Sequence, residues 1–276
     1  MCIAIYKPQE ADFPTKKTLQ RCFEANPDGA GYMFAHRDRV HIRKGFTTFK
    51  AFWRDLRDIR EKVTDKTPFV LHFRISTQAG VRPDCTHPFP LSRKMDDLRA
   101  LRAVSDIGIA HNGIISLTSQ GYNKTITYSD TMQFITEYAA RLIKSRDWYA
   151  DEDLRSVIEK MAGSKLAILD GGGTCTLLGA GWIEDSGVWY SNESYKPRQY
   201  TIPSAYTYGF RAYDWYDWYD ETDNETETPK DDPWKEFYDE ECDSYFFDDI
   251  NCPATTDGDT SYCRKCASYG ECYGFK

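Results

Sequence analysis

The chain carries a cysteine at position 2, directly behind Met1, and that placement raises a specific chemistry. Removal of Met1 leaves a thiol and a free α-amine on one residue, and such an amine ordinarily titrates at about 7.7–8.0. One residue then holds both a nucleophile and the base that activates it. A plainer reading competes, because cysteine is among the most often buried residue types and CIAIY alternates like an ordinary strand. Four further segments bear on the choice: HFRISTQAG, with His72, Arg74 and Thr77; THPFP, with His87 and Pro88; AHNGII, with Asn112 and Gly113; and YSDT, with Asp130.

Preceded by NPDGAGYMF at 26–34 and closed by GVWYSNESY, these segments in this order resemble the class II glutamine amidotransferases, which are N-terminal-nucleophile hydrolases. The resemblance runs over roughly residues 2–195. It implies an α+β fold, a four-layer αββα sandwich of two antiparallel sheets between helical layers. It also implies hydrolysis of the glutamine side-chain amide through a thioester on Cys2, with release of ammonia. Many members of that family carry Gly after the nucleophile where this chain has Ile3, which puts the packing on the substrate side at issue.

The residues support that chemistry in their own right. Cys2 is the nucleophile, and its liberated amine serves as base through a water. The side-chain amide of Asn112 and the backbone N–H of Gly113 can both donate to a tetrahedral oxyanion. Arg74 presents a planar fork that suits the α-carboxylate of an amino acid, which lysine does not reproduce. Thr77 adds a hydroxyl beside that carboxylate, and Asp130 offers a negative charge to the α-ammonium. Each has a plainer role: Arg74 as a strand-end ion-pair partner, Asp130 as a helix N-cap, Asn112-Gly113 as a turn. Taken one at a time the plainer roles win, but together they leave unexplained why every requirement of one reaction is met. His72 and His87 read as structural, since the amine already supplies a base. Asp28, with Gly29 and Gly31, reads as a turn packed near the nucleophile, without a catalytic role.

These residues need elements to position them. Residues 2–6 read as a strand, TKKTLQRCFEANP as a helix ending before Pro27, and GAGYMFAHRDRVHIRKG as a hairpin turning near Arg37–Arg39. TTFKAFWRDLRDIREKV spaces Phe49, Phe52, Trp53, Leu56 and Ile59 as one face of a helix. PFVLHFRIS and DIGIAHNG are apolar runs that end in polar residues, as strands delivering side chains to a site do. SDTMQFITEYAARLI reads as a helix capped by Ser129 or Asp130, with Phe134, Ile135, Tyr138, Ala139 and Leu142 on one side. DEDLRSVIEKM reads as a short helix, and SKLAILDGGGTCTLLGAG and GVWYSN as antiparallel strands. The absence of a regular βαβ rhythm favours antiparallel sheets covered by helices.

The composition changes near residues 200–210, giving a glutaminase domain over 2–203 and an acidic, aromatic tail over 204–276. From Arg211 to Asp249 the net charge is −13, so the rest of the chain carries +5 against the total of −8. Acidity that local says little about nucleic-acid binding by the body, and no nucleic-acid partner is expected. The tail holds five of the nine cysteines. Cys252, Cys263, Cys266 and Cys272 meet the four-thiolate count of a structural zinc, with Cys242 as a spare; an iron–sulfur cluster or free thiols are the alternatives. Cys22, Cys85 and Cys175 read as small buried residues.

No run reaches membrane-spanning length and no signal-peptide pattern opens the chain, so a cytoplasmic protein is expected. The sequence lacks a GxxxxGK[ST] phosphate loop, and DGGGT fits a hairpin turn. The expected partners are therefore L-glutamine and a separate ammonia-accepting synthetase or ligase, and no cofactor is expected for the glutaminase itself. Two other classes compete with this reading. One is a non-catalytic binding protein acting through its acidic tail. The other is an amidase of the same mechanistic superfamily for a different γ-glutamyl-type amide.

Overall fold

The computed structural model describes residues 2–76, 81–118 and 127–197. The proposed tail, its cysteines and the boundary near 203 lie outside the described residues. The described chain is α+β, with two antiparallel sheets. Its strands are β1 (Ile3–Lys7), β2 (Ala30–His36), β3 (Arg39–Phe46), β4 (Phe69–Phe73), β5 (Phe89–Pro90), β6 (Arg102–Ser105), β7 (Ile107–Asn112), β8 (Lys165–Asp170), β9 (Cys175–Leu178), β10 (Ile183–Asp185) and β11 (Val188–Tyr190). The larger sheet runs β10-β11-β1-β4-β2-β3-β6 and the smaller β5-β7-β8-β9.

Side-chain alternation explains how the two sheets are covered, since successive residues of a strand point to opposite faces. In β1 and β4, Ile3, Ile5, Phe69, Leu71 and Phe73 join a buried cluster with Leu19, Cys22, Phe52, Leu56 and Ile59. Those last residues belong to helices α1 (Lys16–Ala25) and α2 (Phe49–Arg60), which therefore pack on the outer face of the larger sheet. The intervening residues look the other way. Val70 joins Met33, Val40, Ile42, Ala110, Ala167 and Leu169 in a cluster shared by both sheets. Ile107, Ile109, Leu166 and Ile168 of the smaller sheet pack instead against Met132, Phe134, Ile135, Ala139, Ile158 and Ala162.

The helix boundaries follow from local chemistry. The Thr15 hydroxyl accepts from the Thr18 N–H at 3.1 Å to start α1, which stops at Asn26 before Pro27. Thr48 caps α2 in the same way. The short α3 spans Met95–Arg99. At the next long helix it is Ser129, not Asp130, whose side chain caps the first turn, accepting from the Met132 N–H at 3.2 Å. This helix is not uniform: α4 (Asp130–Phe134) passes through a π turn at Ile135–Ala139 into α5 (Ala140–Leu142). There the Thr136 hydroxyl bonds back to the carbonyls of Met132 and Gln133, each at 3.1 Å, a habit that bends helices. The last helix, α6 (Glu152–Ala162), starts on the Asp151 carboxylate and ends at Gly163 in the left-handed conformation.

The hairpin between β2 and β3 turns at Arg37 and Asp38, both with positive φ as a two-residue type I′ turn demands. Cys22 and Cys85 are buried as expected. Cys175, read as buried, is only partly covered, because β9 is the edge of the smaller sheet.

Candidate active site

β1 lies beside β4, antiparallel, with Ile3 opposite Phe73. One step further along that register brings Cys2 opposite Arg74, at the end of the sheet. The Cys2 thiol meets the Ile75 peptide there, donating to its carbonyl and accepting from its N–H, both at 3.3 Å. Burial pushes the thiol pKa up, while the Ile75 N–H and then the Arg74 guanidinium pull it back. Arg74 is itself buried, with 4% of its surface exposed. Ile3, the departure from the common family pattern, is fully buried on the helix-facing side of β1, opposite the face that carries Cys2.

The backbone that carries Arg74 is held by the turn after α1. The Arg74 N–H donates to the Gly29 carbonyl at 2.8 Å, and the Asp28 N–H donates to the Arg74 carbonyl at 2.9 Å. The Asp28 carboxylate accepts from the Ser76 N–H at 2.7 Å. Asp28 thus braces the segment after β4.

Asn112 ends β7 and reaches across to the larger sheet. Its Nδ2 lies 2.7 Å from Ser191 Oγ, and Ser191 Oγ accepts from the Ala4 N–H at 2.8 Å. The Ser191 N–H completes the pairing by donating to the Ala4 carbonyl at 2.9 Å. The next residue, Asn192, donates from Nδ2 to the Cys2 carbonyl at 2.6 Å. Its Oδ1 accepts from the N–H and hydroxyl of Ser194 at 3.0 and 2.7 Å. Two residues after β11 therefore clamp the segment that carries the candidate nucleophile. A cleft of about 520 Å³ opens beside Asn112, Lys165, Ser191 and Asn192.

Gly113 follows with φ +144°, a conformation closed to most side chains. A Cβ there would meet the Ser164 Cβ at 2.5 Å, so glycine is required twice over. Asp130 anchors the segment after Gly113. Its Oδ2 accepts from the Ile115 N–H and its Oδ1 from the Thr131 N–H, both at 2.8 Å. The Thr118 hydroxyl donates to the Asp130 carbonyl at 2.7 Å. A carboxylate has about four lone-pair positions, so capacity for a cation remains.

Three buried histidines lie behind these residues. The His72 and His87 rings are tilted at 43° with centroids 4.3 Å apart, and the His87 and His111 centroids are 6.0 Å apart. Burial lowers the pKa of all three: His72 to about 3, His111 to about 4 against the opposing pull of Asp130, and His87 well below the ordinary value. His111 lies 2.7 Å from Ser164 Oγ through Nε2 and 2.9 Å from Thr131 Oγ1 through Nδ1. The Ser164 hydroxyl points to the Ala162 carbonyl at 3.0 Å. The Thr131 hydroxyl in turn lies 3.3 Å from Asp130 Oδ1, so both hydroxyls beside His111 also have a carbonyl or carboxylate acceptor within reach.

Cys2 and Arg74 share one sheet end, and Asn112 is joined to that end through Ser191. Asp130 holds the loop that follows Gly113. Thr77 lies outside the described residues, as do Met1 and Cys252, Cys263, Cys266 and Cys272. Among the described residues no group of three or more His, Cys, Asp or Glu side chains could hold a metal ion. No helix among them is long and apolar enough to cross a membrane. Sequence reasoning missed Ser191 and Asn192, although GVWYSNESY contains both. A scan against models of protein families and a search of curated proteins return no match to this chain.

Proposed function

We propose that this chain is a glutaminase of the class II amidotransferase kind, with Cys2 as N-terminal nucleophile. The observation that carries the reading is the convergence of Cys2 and Arg74 at one strand end with Asn112 tethered to the same end. In this reading the helix-covered pair of sheets is the four-layer αββα sandwich of N-terminal-nucleophile hydrolases.

The reaction begins when the α-amine freed by Met1 removal takes the thiol proton through a water. The sulfur attacks the side-chain carbonyl carbon of glutamine, and the carbonyl becomes an oxyanion. Asn112 and the Gly113 N–H donate to it; losing one such donor typically costs about 2.7–4 kcal/mol of barrier. The proton on the amine passes to the departing nitrogen, ammonia leaves, and a γ-glutamyl thioester remains. Water then attacks the thioester with the amine again as base, releasing glutamate and restoring the thiol. Arg74 grips the α-carboxylate and Asp130 the α-ammonium. The buried thiol makes a base necessary near neutral pH, which favours this route over a free thiolate. Ammonia passes to a separate acceptor-activating ligase.

Intact-mass analysis of the N-terminus with a glutamate-release assay tests the reading. Mature protein should begin at Cys2, and a diazoketone analogue of glutamine should add one mass, at Cys2. Glutamate production that survives Cys2→Ala would sink the mechanism.

A further inference from the structure

The hydrogen bonds around Ser191 raise a question of direction. Its hydroxyl has one proton to give and two lone pairs to receive with. The Ala4 N–H takes one lone pair at 2.8 Å, and as placed Asn112 Nδ2 takes the other at 2.7 Å. The Ser191 proton then has no acceptor among the described residues. On the other end of the same amide, Asn112 Oδ1 is buried without any hydrogen-bond partner. One arrangement therefore leaves a donor and an acceptor unsatisfied together, although each buried polar group left unpaired costs about 1–3 kcal/mol.

Turning the carboxamide by 180° gives the Ser191 proton an acceptor and leaves the two amide N–H donors as the unpaired groups. The two ends of the group have nearly the same shape, so the turn needs no repacking. The Ser191 hydroxyl then donates to Asn112 Oδ1 while still accepting from the Ala4 N–H. The Asn112 NH2 then takes the buried position that Oδ1 held, where its two N–H donors have no acceptor among the described residues and await one from a bound molecule. Ser191 is only 1% exposed and Asn112 8%, so water does not readily substitute for either partner.

We propose that Ser191 is a positioning residue, whose hydroxyl fixes the Asn112 amide with its oxygen inward and its NH2 presented to substrate. The proposal rests on the glutaminase reading for what the NH2 would stabilise, but not for the orientation itself. The chain of bonds starts at Ala4, two residues from the nucleophile. The strand that carries the thiol therefore also sets the direction of the oxyanion donor.

Two measurements on the full-length protein test this. The first is a kinetic cycle over Ser191→Ala, Asn112→Ala and the double variant. Ser191→Ala should lower kcat about tenfold to a hundredfold with KM changed by less than about twofold. The double variant should be no slower than Asn112→Ala alone, because the hydroxyl acts only through that amide. Ser191→Ala with undiminished kcat, or a double variant slowed by the full product of both factors, overturns the proposal. The second is neutron diffraction from deuterium-exchanged wild-type crystals, which needs neither a folded variant nor activity. Deuterons on the Asn112 nitrogen away from Ser191 support the proposal, and deuterons directed at Ser191 Oγ overturn it. If the wild type releases no glutamate, the glutaminase reading falls while the neutron result still decides how Ser191 holds Asn112.

Discussion

His72 Nε2 lies 3.0 Å from the main-chain oxygen of His111, so a bond between the sheets joins the strand that precedes Arg74 to the strand that ends in Asn112. The bond requires a proton on His72 Nε2, and burial keeps the other nitrogen unprotonated. The three histidines have folded pKa values below their unfolded value of about 6.5. The unfolded chain therefore binds more protons than the folded one below that pH, and stability falls as pH falls. Between pH 6.5 and 5 each such histidine costs up to about 2 kcal/mol. Chemical denaturation should show a steep loss over that window. His87→Phe, which keeps the ring contact with Phe89, should flatten it. A pH-independent stability between 5 and 7 would contradict the burial assigned to the cluster.

The Cys2 thiol supports a second prediction, because burial raises its pKa while Arg74 opposes the rise. Alkylation by iodoacetamide, followed by peptide mass spectrometry, should reach half its maximal rate above the ordinary thiol value of about 8.5. Arg74→Gln removes a positive charge that favours the thiolate, so it should shift the profile to higher pH. A profile centred below neutrality would mean a preformed thiolate, leaving the α-amine no role in activation.

Kinetics should separate the grips from the oxyanion donor. Arg74→Lys keeps the charge but loses the fork, and should raise the KM for glutamine while leaving kcat largely intact. Asn112→Ala should instead reduce kcat by about 10²–10³ with little change in KM. Asp130→Asn should raise KM and also lower the melting temperature. The reason is that both carboxylate oxygens accept main-chain N–H groups, and an amide can serve only one of them. If Asn112→Ala altered KM alone, the oxyanion assignment would be wrong.

Much of this arrangement was legible from local pattern. Apolar spacing in FKAFWRDLRDIR marks the buried face of α2, and alternation in IAIYK places Ile3 and Ile5 on one side of β1. Polar residues closing apolar strands pointed to Arg74 and Asn112. What escaped depends on partners distant along the chain. Ser191 meets Ala4 across 187 positions and Asn112 across 79, and no periodicity encodes such a meeting. Asp55 is another case: an acid on the apolar face of α2, buried with Tyr32 and Arg43 as partners from the neighbouring strands. An acid there breaks the stripe, which is a visible signal, but its explanation lies in β2 and β3. The π turn at Ile135–Ala139 likewise left no trace in a run whose apolar spacing suits an uninterrupted helix.

Gly113 offers the most direct probe of the geometry that follows Asn112. Its φ of +144° is reachable by glycine and strained for alanine, a penalty of about 1–3 kcal/mol. Independently, an added Cβ would come within 2.5 Å of the Ser164 Cβ, whose hydroxyl is engaged by His111. Gly113→Ala should therefore destabilise the fold and displace the backbone N–H that the proposed mechanism aims at the oxyanion. Gly113→Ala combined with Ser164→Gly separates the two causes. Relieving the contact should recover part of the stability lost in Gly113→Ala, while the φ strain and the turnover defect persist. Denaturant midpoints and glutamate-release rates on the three proteins decide the matter. Full recovery of turnover in the double variant would show that the contact with Ser164, and not the glycine conformation, is what the site requires.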